Sequence, residues 1–143
     1  MSDAVAAVIR LADGRFLMQL RDDRPDIWYP ATWGCFGGAV DDHEPPLDAL
    51  RRELREELEY DVGNTKLVSK LEFDLRPVGL RKYYRAYYLV EMSEPERARL
   101  VLHEGERMAA FTYEELRAGM PVTPYDAFAV HLYYSRASGL LDD

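Results

Sequence analysis

Cysteine is nearly absent from this sequence: Cys35 is the only one in 143 residues. A single thiol closes no intrachain disulfide, which points to a reducing compartment and leaves stability to the core. Set among small and apolar residues in "GCFGG", it reads as a buried, inert thiol rather than a nucleophile. Positive charge is also scarce, with 18 Lys and Arg against 26 Asp and Glu and a net charge of −8. That balance argues against nucleic acid or an anionic membrane as the main partner, because both would be repelled. An acidic protein that handles anionic substrates needs a cation between itself and them. Long apolar runs are missing as well. The opening "MSDAVAAVIRLADG" has no basic stretch ahead of its apolar run, and "AVAAVI" is far short of a membrane span. A soluble, cytoplasmic protein is expected.

What is present suits one domain over residues 1–143. A chain of this length buries roughly 68–70% of its unfolded surface, enough for a core without staples. "AVAAVIR" and "RFLMQLR" read as strands around the Asp-Gly turn of "LADG". Residues 22–34, "DDRPDIWYPATWG", have no clean period and read as a long loop. "CFGGAV" is a short strand that breaks at two glycines, and a helix follows from Pro45 to Glu59, its prolines placed in the first turn. "KLVSKLEFDL" and "RKYYRAYYLVEM" read as strands, residues 93–105 as either a short helix or a loop, and "RMAAFTY" as a last strand. Thr112 and Glu115 make a capping box for a short helix ending near Gly119. Thr123, Pro124 and Asp126 open a final helix to about Ala137, on which His131 is expected to be packed. Strands and helices in this order imply an α/β (α+β) fold with a mixed sheet between helices.

The first helix carries an unusual charge pattern. Leu47, Leu50, Leu54 and Leu58 fall on one stripe, the core face. Glu53, Glu56 and Glu57 cluster on the shoulder of that stripe, where their heads can converge. Like charges three and four apart cost a few tenths of a kcal/mol per pair, roughly, in an isolated helix. Two readings compete. Arg52–Glu56 and Arg55–Glu59 are opposite-charge pairs four apart, so a solvated, ion-paired helix explains much of "RRELREELE". Alternatively, converging oxygen ligands suit a hard divalent cation such as Mg²⁺ or Mn²⁺, which would relieve the repulsion and bind substrate phosphate.

The preceding diglycine and Glu44 alter that balance. Gly38, five residues, Glu44, seven residues and then Arg52-Glu53-Leu54-Arg55-Glu56-Glu57-Leu58-Glu59-Tyr60 resemble the signature of the Nudix hydrolases. The departure is Glu59, where the family usually has a glycine that ends the helix at positive φ. A helix end shifted to Gly63 or Asn64 is therefore expected. The flanks agree: strands before the box, a Tyr-rich strand after it, and "HEGERMAAFTYEEL" like the family's late Glu-Gly, strand and helix segment. The resemblance implies a single Nudix domain with an α/β/α sandwich fold. It implies that Glu53, Glu56 and Glu57 hold Mg²⁺ or Mn²⁺, with the carbonyl of Gly37 as a further ligand. It gives Glu53 a second role in activating water, makes Arg52 a partner that orients a carboxylate, lets Gly37 and Gly38 approach the diphosphate, and leaves Glu44 structural. Glu104 and Glu106 are candidates for the general base, with His103 and His43 behind them.

Substrate contacts are sought on two segments. Period two places Arg81, Tyr83, Arg85 and Tyr87 on one strand face, where cations hold phosphates and rings stack a base or sugar. Trp28, Tyr29 and Trp33 offer a lid, a stacking wall or a homodimer contact, with Arg21 and Arg24 nearby for phosphate. The expected activity is metal-dependent hydrolysis of a nucleoside diphosphate linked to another group. A diphosphate sugar or ADP-ribose-like small molecule comes first and a nucleoside triphosphate second. The alternative is a non-catalytic Nudix-fold domain that binds or senses a nucleotide.

Overall fold

The computed structural model describes residues 2–139; residue 1 and residues 140–143, the ends of the expected domain, lie outside the described residues. The run "AVAAVIRL" forms β1 (Ala4–Leu11), and its lack of polar alternation has a direct cause: both of its faces are covered. Val5, Ala7, Ile9 and Leu11 face one apolar cluster, while Ala6 and Val8 face the other. Around it lie β2 (Phe16–Leu20), β3 (Trp33–Gly34), β4 (Phe36–Ala39), β5 (Lys66–Asp74), β6 (Lys82–Met92) and β7 (Arg107–Phe111). The helices are α1 (Pro46–Leu58), α2 (Glu94–Ala98), α3 (Tyr113–Arg117) and α4 (Pro124–Ala137).

The sheet is mixed. β1 runs parallel to β6 along one edge, from Ala4↔Arg85 to Leu11↔Met92. Its other edge is divided: Ala4 to Ala7 pair with β4, and Ile9 and Arg10 pair with β2, both antiparallel. β2 also carries β3 and β7, and β5 completes the far edge beside β6. Helix α1 buries Ala49, Leu50, Leu54 and Leu58 against one face. On the opposite face, Ala129 and Val130 of α4 and Tyr113 of α3 pack on Phe16, Met18 and Trp33. The architecture is the expected mixed sheet between helices. Among the described residues no helix is long and apolar enough to cross a membrane.

Local differences from the sequence reading have local causes. The end of the expected loop, Trp33 and Gly34, pairs with Leu20 and Gln19 and is a strand. The undecided 93–105 segment begins with α2, whose Ser93 and Glu96 form a reciprocal cap. Strand β7 stops at Phe111 because Thr112 already caps α3, as its box with Glu115 implies. The shift of the α1 end to Gly63 or Asn64 does not occur. Glu59 itself adopts the left-handed conformation, φ 53° and ψ 39°, and its N–H donates to the Arg55 carbonyl. Nor does Glu59 pair with Arg55: Arg55 Nε donates to Asp61 at 3.0 Å, and Glu59 meets His103 instead.

Candidate active site

Two glycines hold the site against the centre of the sheet. Gly37 pairs with Ala6 and Gly38 with Val5. A Cβ on Gly37 would lie 2.1 Å from the Val5 carbonyl oxygen, so no other residue fits there. Gly38 lies against the carboxylate of Glu53, only 2.5 Å from where its own Cβ would be. The ledge formed by these residues separates an acidic pocket edge from an aromatic cavity.

On the acidic side, Arg52 is the organiser. Its guanidinium grips both oxygens of Glu44, at 3.0 and 2.9 Å, and donates to Glu53 Oε1 at 2.9 Å and to the Ala39 carbonyl. Glu44 in turn accepts from the Asp41 N–H, closing the turn before α1. Arg52 holds the Glu44 carboxyl below its ordinary pKa. Glu53 behaves oppositely: burial raises it, despite Arg52. Glu57 is 2% exposed, accepts from the Gly37 N–H at 3.1 Å, and has its pKa pushed up to about 10. Burial is the main cause, followed by the neighbouring Glu104, whose side chain is within hydrogen-bonding reach. Glu53 and Glu104 also repel one another.

The acids brought together are thus Glu53, Glu57 and Glu104. Glu56 is more exposed than Glu53 and Glu57, and it lies 3.5 Å from the same Arg52 nitrogen that holds Glu53 at 2.9 Å. Among the described residues, no group of three or more His, Cys, Asp or Glu side chains is gathered tightly enough to hold a metal ion. The donor chemistry nevertheless fits a hard divalent cation: every nearby side-chain donor is a carboxylate oxygen, and the buried Glu57 has a second carboxylate, that of the exposed Glu104, within reach. Glu53 and Glu57 would hold such an ion, and Glu56 would join by leaving Arg52. Glu106 is exposed, and its N–H donates to the Leu20 carbonyl.

On the other side of the ledge lies a cavity of about 330 Å³. Arg21, Trp28, Gly37, Gly38, Tyr83 and Arg85, all sequence candidates, line it. Trp28 stands 76% exposed at its mouth. Arg21 Nε donates to the Trp28 carbonyl and so anchors the loop above. Arg85 lies 4.7 Å from the centre of the Tyr125 ring, and its Nε is buried without a hydrogen-bond partner. Trp33 is not a wall of this cavity. It is buried in β3 with its ring edge on Phe111. Arg81 precedes β6 and borders a separate depression beside Gly79 and Leu80. Tyr87 is buried rather than free, and Arg24 is engaged with Asp26. His131 is exposed on α4 rather than packed in the core, with its ring bonded to the Tyr113 hydroxyl and stacked on that ring.

Two cavity residues escaped the sequence reading, Tyr125 and Asp126. Asp126 was legible only as an acid in the first turn of a helix, an ordinary position for one. In the fold it is buried. It accepts from the Cys35 N–H at 3.0 Å and the Tyr87 hydroxyl at 2.8 Å. Burial raises its pKa, while these donors and Arg85 pull it back.

The sequence matches the family model of the NUDIX domain over residues 2–132. A curated relative, RNA pyrophosphohydrolase of Gluconacetobacter diazotrophicus, is 40% identical over 60 residues, covering 40% of this chain and 36% of that one. The matched stretch therefore spans about a third of that relative's length. Among solved structures, the MutT protein of Methanosarcina mazei Go1 superposes with a TM-score of 0.75 at 19% identity, over 96% of this chain and 94% of that one. The E. coli ORF135 protein does so with a TM-score of 0.71 at 26% identity, over 95% and 91%.

Proposed function

The chain belongs to the NUDIX family, and on that premise we propose that it is a divalent-metal-dependent hydrolase that breaks a pyrophosphate bond in a small nucleotide. The observation that carries this reading is the ledge itself. Acids whose repulsion calls for a cation stand on one side of Gly37 and Gly38, and a cavity suited to a flat ring stands on the other. A phosphate chain crossing the ledge joins the two. Family members generally use divalent metals, and Mg²⁺ or Mn²⁺ matches the oxygen donors of Glu53, Glu56 and Glu57, with the Gly37 carbonyl beside them. When bound, the ion supplies positive charge to phosphate oxygens and lowers the pKa of a water molecule.

The protein groups have separable tasks. Arg52 holds Glu53 at one oxygen and leaves the other free to orient water. Glu104 is placed to take a proton, facing the same cluster. Arg21 and Arg85 offset the chain's overall negative charge where an anionic substrate enters. Tyr125, Tyr83 and Trp28 offer ring faces to a base or sugar. A nucleoside diphosphate bearing a sugar or similar group is the first substrate class, since it fills both sides of the ledge; a nucleoside triphosphate is the second. The non-catalytic binding alternative is disfavoured by the retention of every box carboxylate.

A panel of diphosphate sugars, ADP-ribose, dinucleotides and triphosphates, with and without Mg²⁺ or Mn²⁺, tests the proposal. Cleavage that requires the metal and is lost in Glu57→Gln is expected. Tight nucleotide binding with no product from any substrate would overturn it in favour of the binding domain.

A further inference from the structure

Helix α1 ends in a way that costs energy. A non-glycine residue held left-handed is strained relative to glycine. Glu59 takes that conformation, and its side chain supplies something glycine cannot: its carboxylate accepts from His103 Nε2 at 2.6 Å. The backbone joins the same two segments. The Val101 N–H donates to the Leu58 carbonyl at 3.1 Å and the His103 N–H to the Glu57 carbonyl at 2.9 Å. These are carbonyls a helix end leaves open, so the 101–103 segment completes the helix. Immediately beyond, Gly105 sits at φ +82°, where an added Cβ would come within 2.8 Å of Gln19 Oε1 and the Leu20 carbonyl. Glu104 is thus the single residue between one anchor on α1 and another on β2.

We infer that Glu59 and His103 form a side-chain clasp that positions Glu104 against Glu57. Both are positioning residues: neither faces the cavity, and each acts through the loop. Through the strained Glu59, the clasp sets the distance between the acid on the helix and the acid on the loop. The inference rests on the proposed cation site at Glu57, which Glu104 faces, and it deepens that reading by naming what holds the loop acid in place.

The full-length protein is compared with Glu59→Gly, His103→Ala, the double variant, and the exchanged pair Glu59→His with His103→Glu. Amide hydrogen exchange over residues 103–106 and Mn²⁺ affinity from the electron paramagnetic resonance of free ion are the primary readouts; kcat and KM follow for any substrate cleaved. Each single variant should speed exchange in that loop, leave Leu50 and Leu54 protected, and weaken Mn²⁺ about tenfold, the scale seen when an outer partner of a metal ligand is lost. kcat should fall and KM hold. The double variant should be no worse than either single one, and the exchanged pair should recover most of the loss. Unchanged loop exchange in Glu59→Gly, additive losses in the double variant, or faster exchange with unchanged Mn²⁺ affinity would each overturn the inference. If the wild type cleaves nothing, the hydrolase reading fails alone, because exchange and Mn²⁺ binding still decide the clasp.

Discussion

Two buried carboxylates, Glu57 and Asp126, stand on opposite sides of the Gly37–Gly38 ledge, and burial raises the pKa of both. Their surroundings differ. Asp126 receives an N–H from Cys35 and a hydroxyl from Tyr87, with Arg85 nearby, so the protein itself satisfies it. Glu57 receives one N–H, from Gly37, and otherwise meets two more acids. A buried charge is stable only when compensated. The first acid is compensated from within and ties strands to α4. The second has one N–H from the protein and two acids beside it, and the proposed cation would supply what the protein does not.

Breaking the pair apart by substitution should give opposite phenotypes. Glu57→Gln should lower kcat by more than about 100-fold, the scale of losing one transition-state electrostatic contact, while leaving thermal stability equal or higher. Steady-state kinetics and calorimetry on the same preparation would check it. Asp126→Ala should do the reverse. Two buried donors lose their acceptor, and stability should fall by roughly 2–4 kcal/mol in urea denaturation, with kcat of the folded fraction largely kept.

A smaller effect should come from the cavity wall. Tyr125→Ala removes the ring that meets Arg85, Tyr29 and Phe73. Loss of one stacking partner should raise KM by about tenfold with little change in kcat. The last effect concerns pH. A carboxyl whose folded pKa lies above its unfolded value contributes stability that is complete below the unfolded pKa and is lost as pH rises through the folded one. For Glu57 that window runs from its ordinary 4.5 to about 10. The denaturation midpoint of the metal-free protein should therefore drift down across this range. Glu57→Gln should flatten the drift, and so should added Mg²⁺. A downward drift that persists unchanged in Glu57→Gln would place the unpaired acid elsewhere.

The same contrast explains what could be read from the chain. Helix α1 was legible because Leu50, Leu54 and Leu58 announce their shared face within two turns, and Gly38, Glu44 and Arg52 keep a fixed spacing. β1 was legible because a short apolar run without alternation needs two covers. Contacts made across the chain were not. Nothing near Glu57 says that Glu104, 47 residues on, will lie against it, and nothing near Asp126 says that Cys35 and Tyr87 will donate to it. Trp33 looked like part of a lid because its neighbours are loop residues; pairing with Leu20 turns it inward. Glu59 was misread because propensity disfavours the left-handed cap it adopts, and the compensating partner, His103, is distant in sequence.

The divided edge of β1 has a consequence in time. The ledge is fastened to Val5 and Ala6, and the same strand is fastened on its other edge to Arg85, Ala86 and Tyr87 through a parallel pairing that spans about 80 residues of chain. Long-range closures of this kind are completed late in folding. The acidic helix can form early on its own leucine stripe, but the surface on which a substrate would lie exists only after β1 and β6 have met. Recovery of catalysis during refolding should therefore lag behind the return of helical signal, and serve as a clock for the last step of assembly.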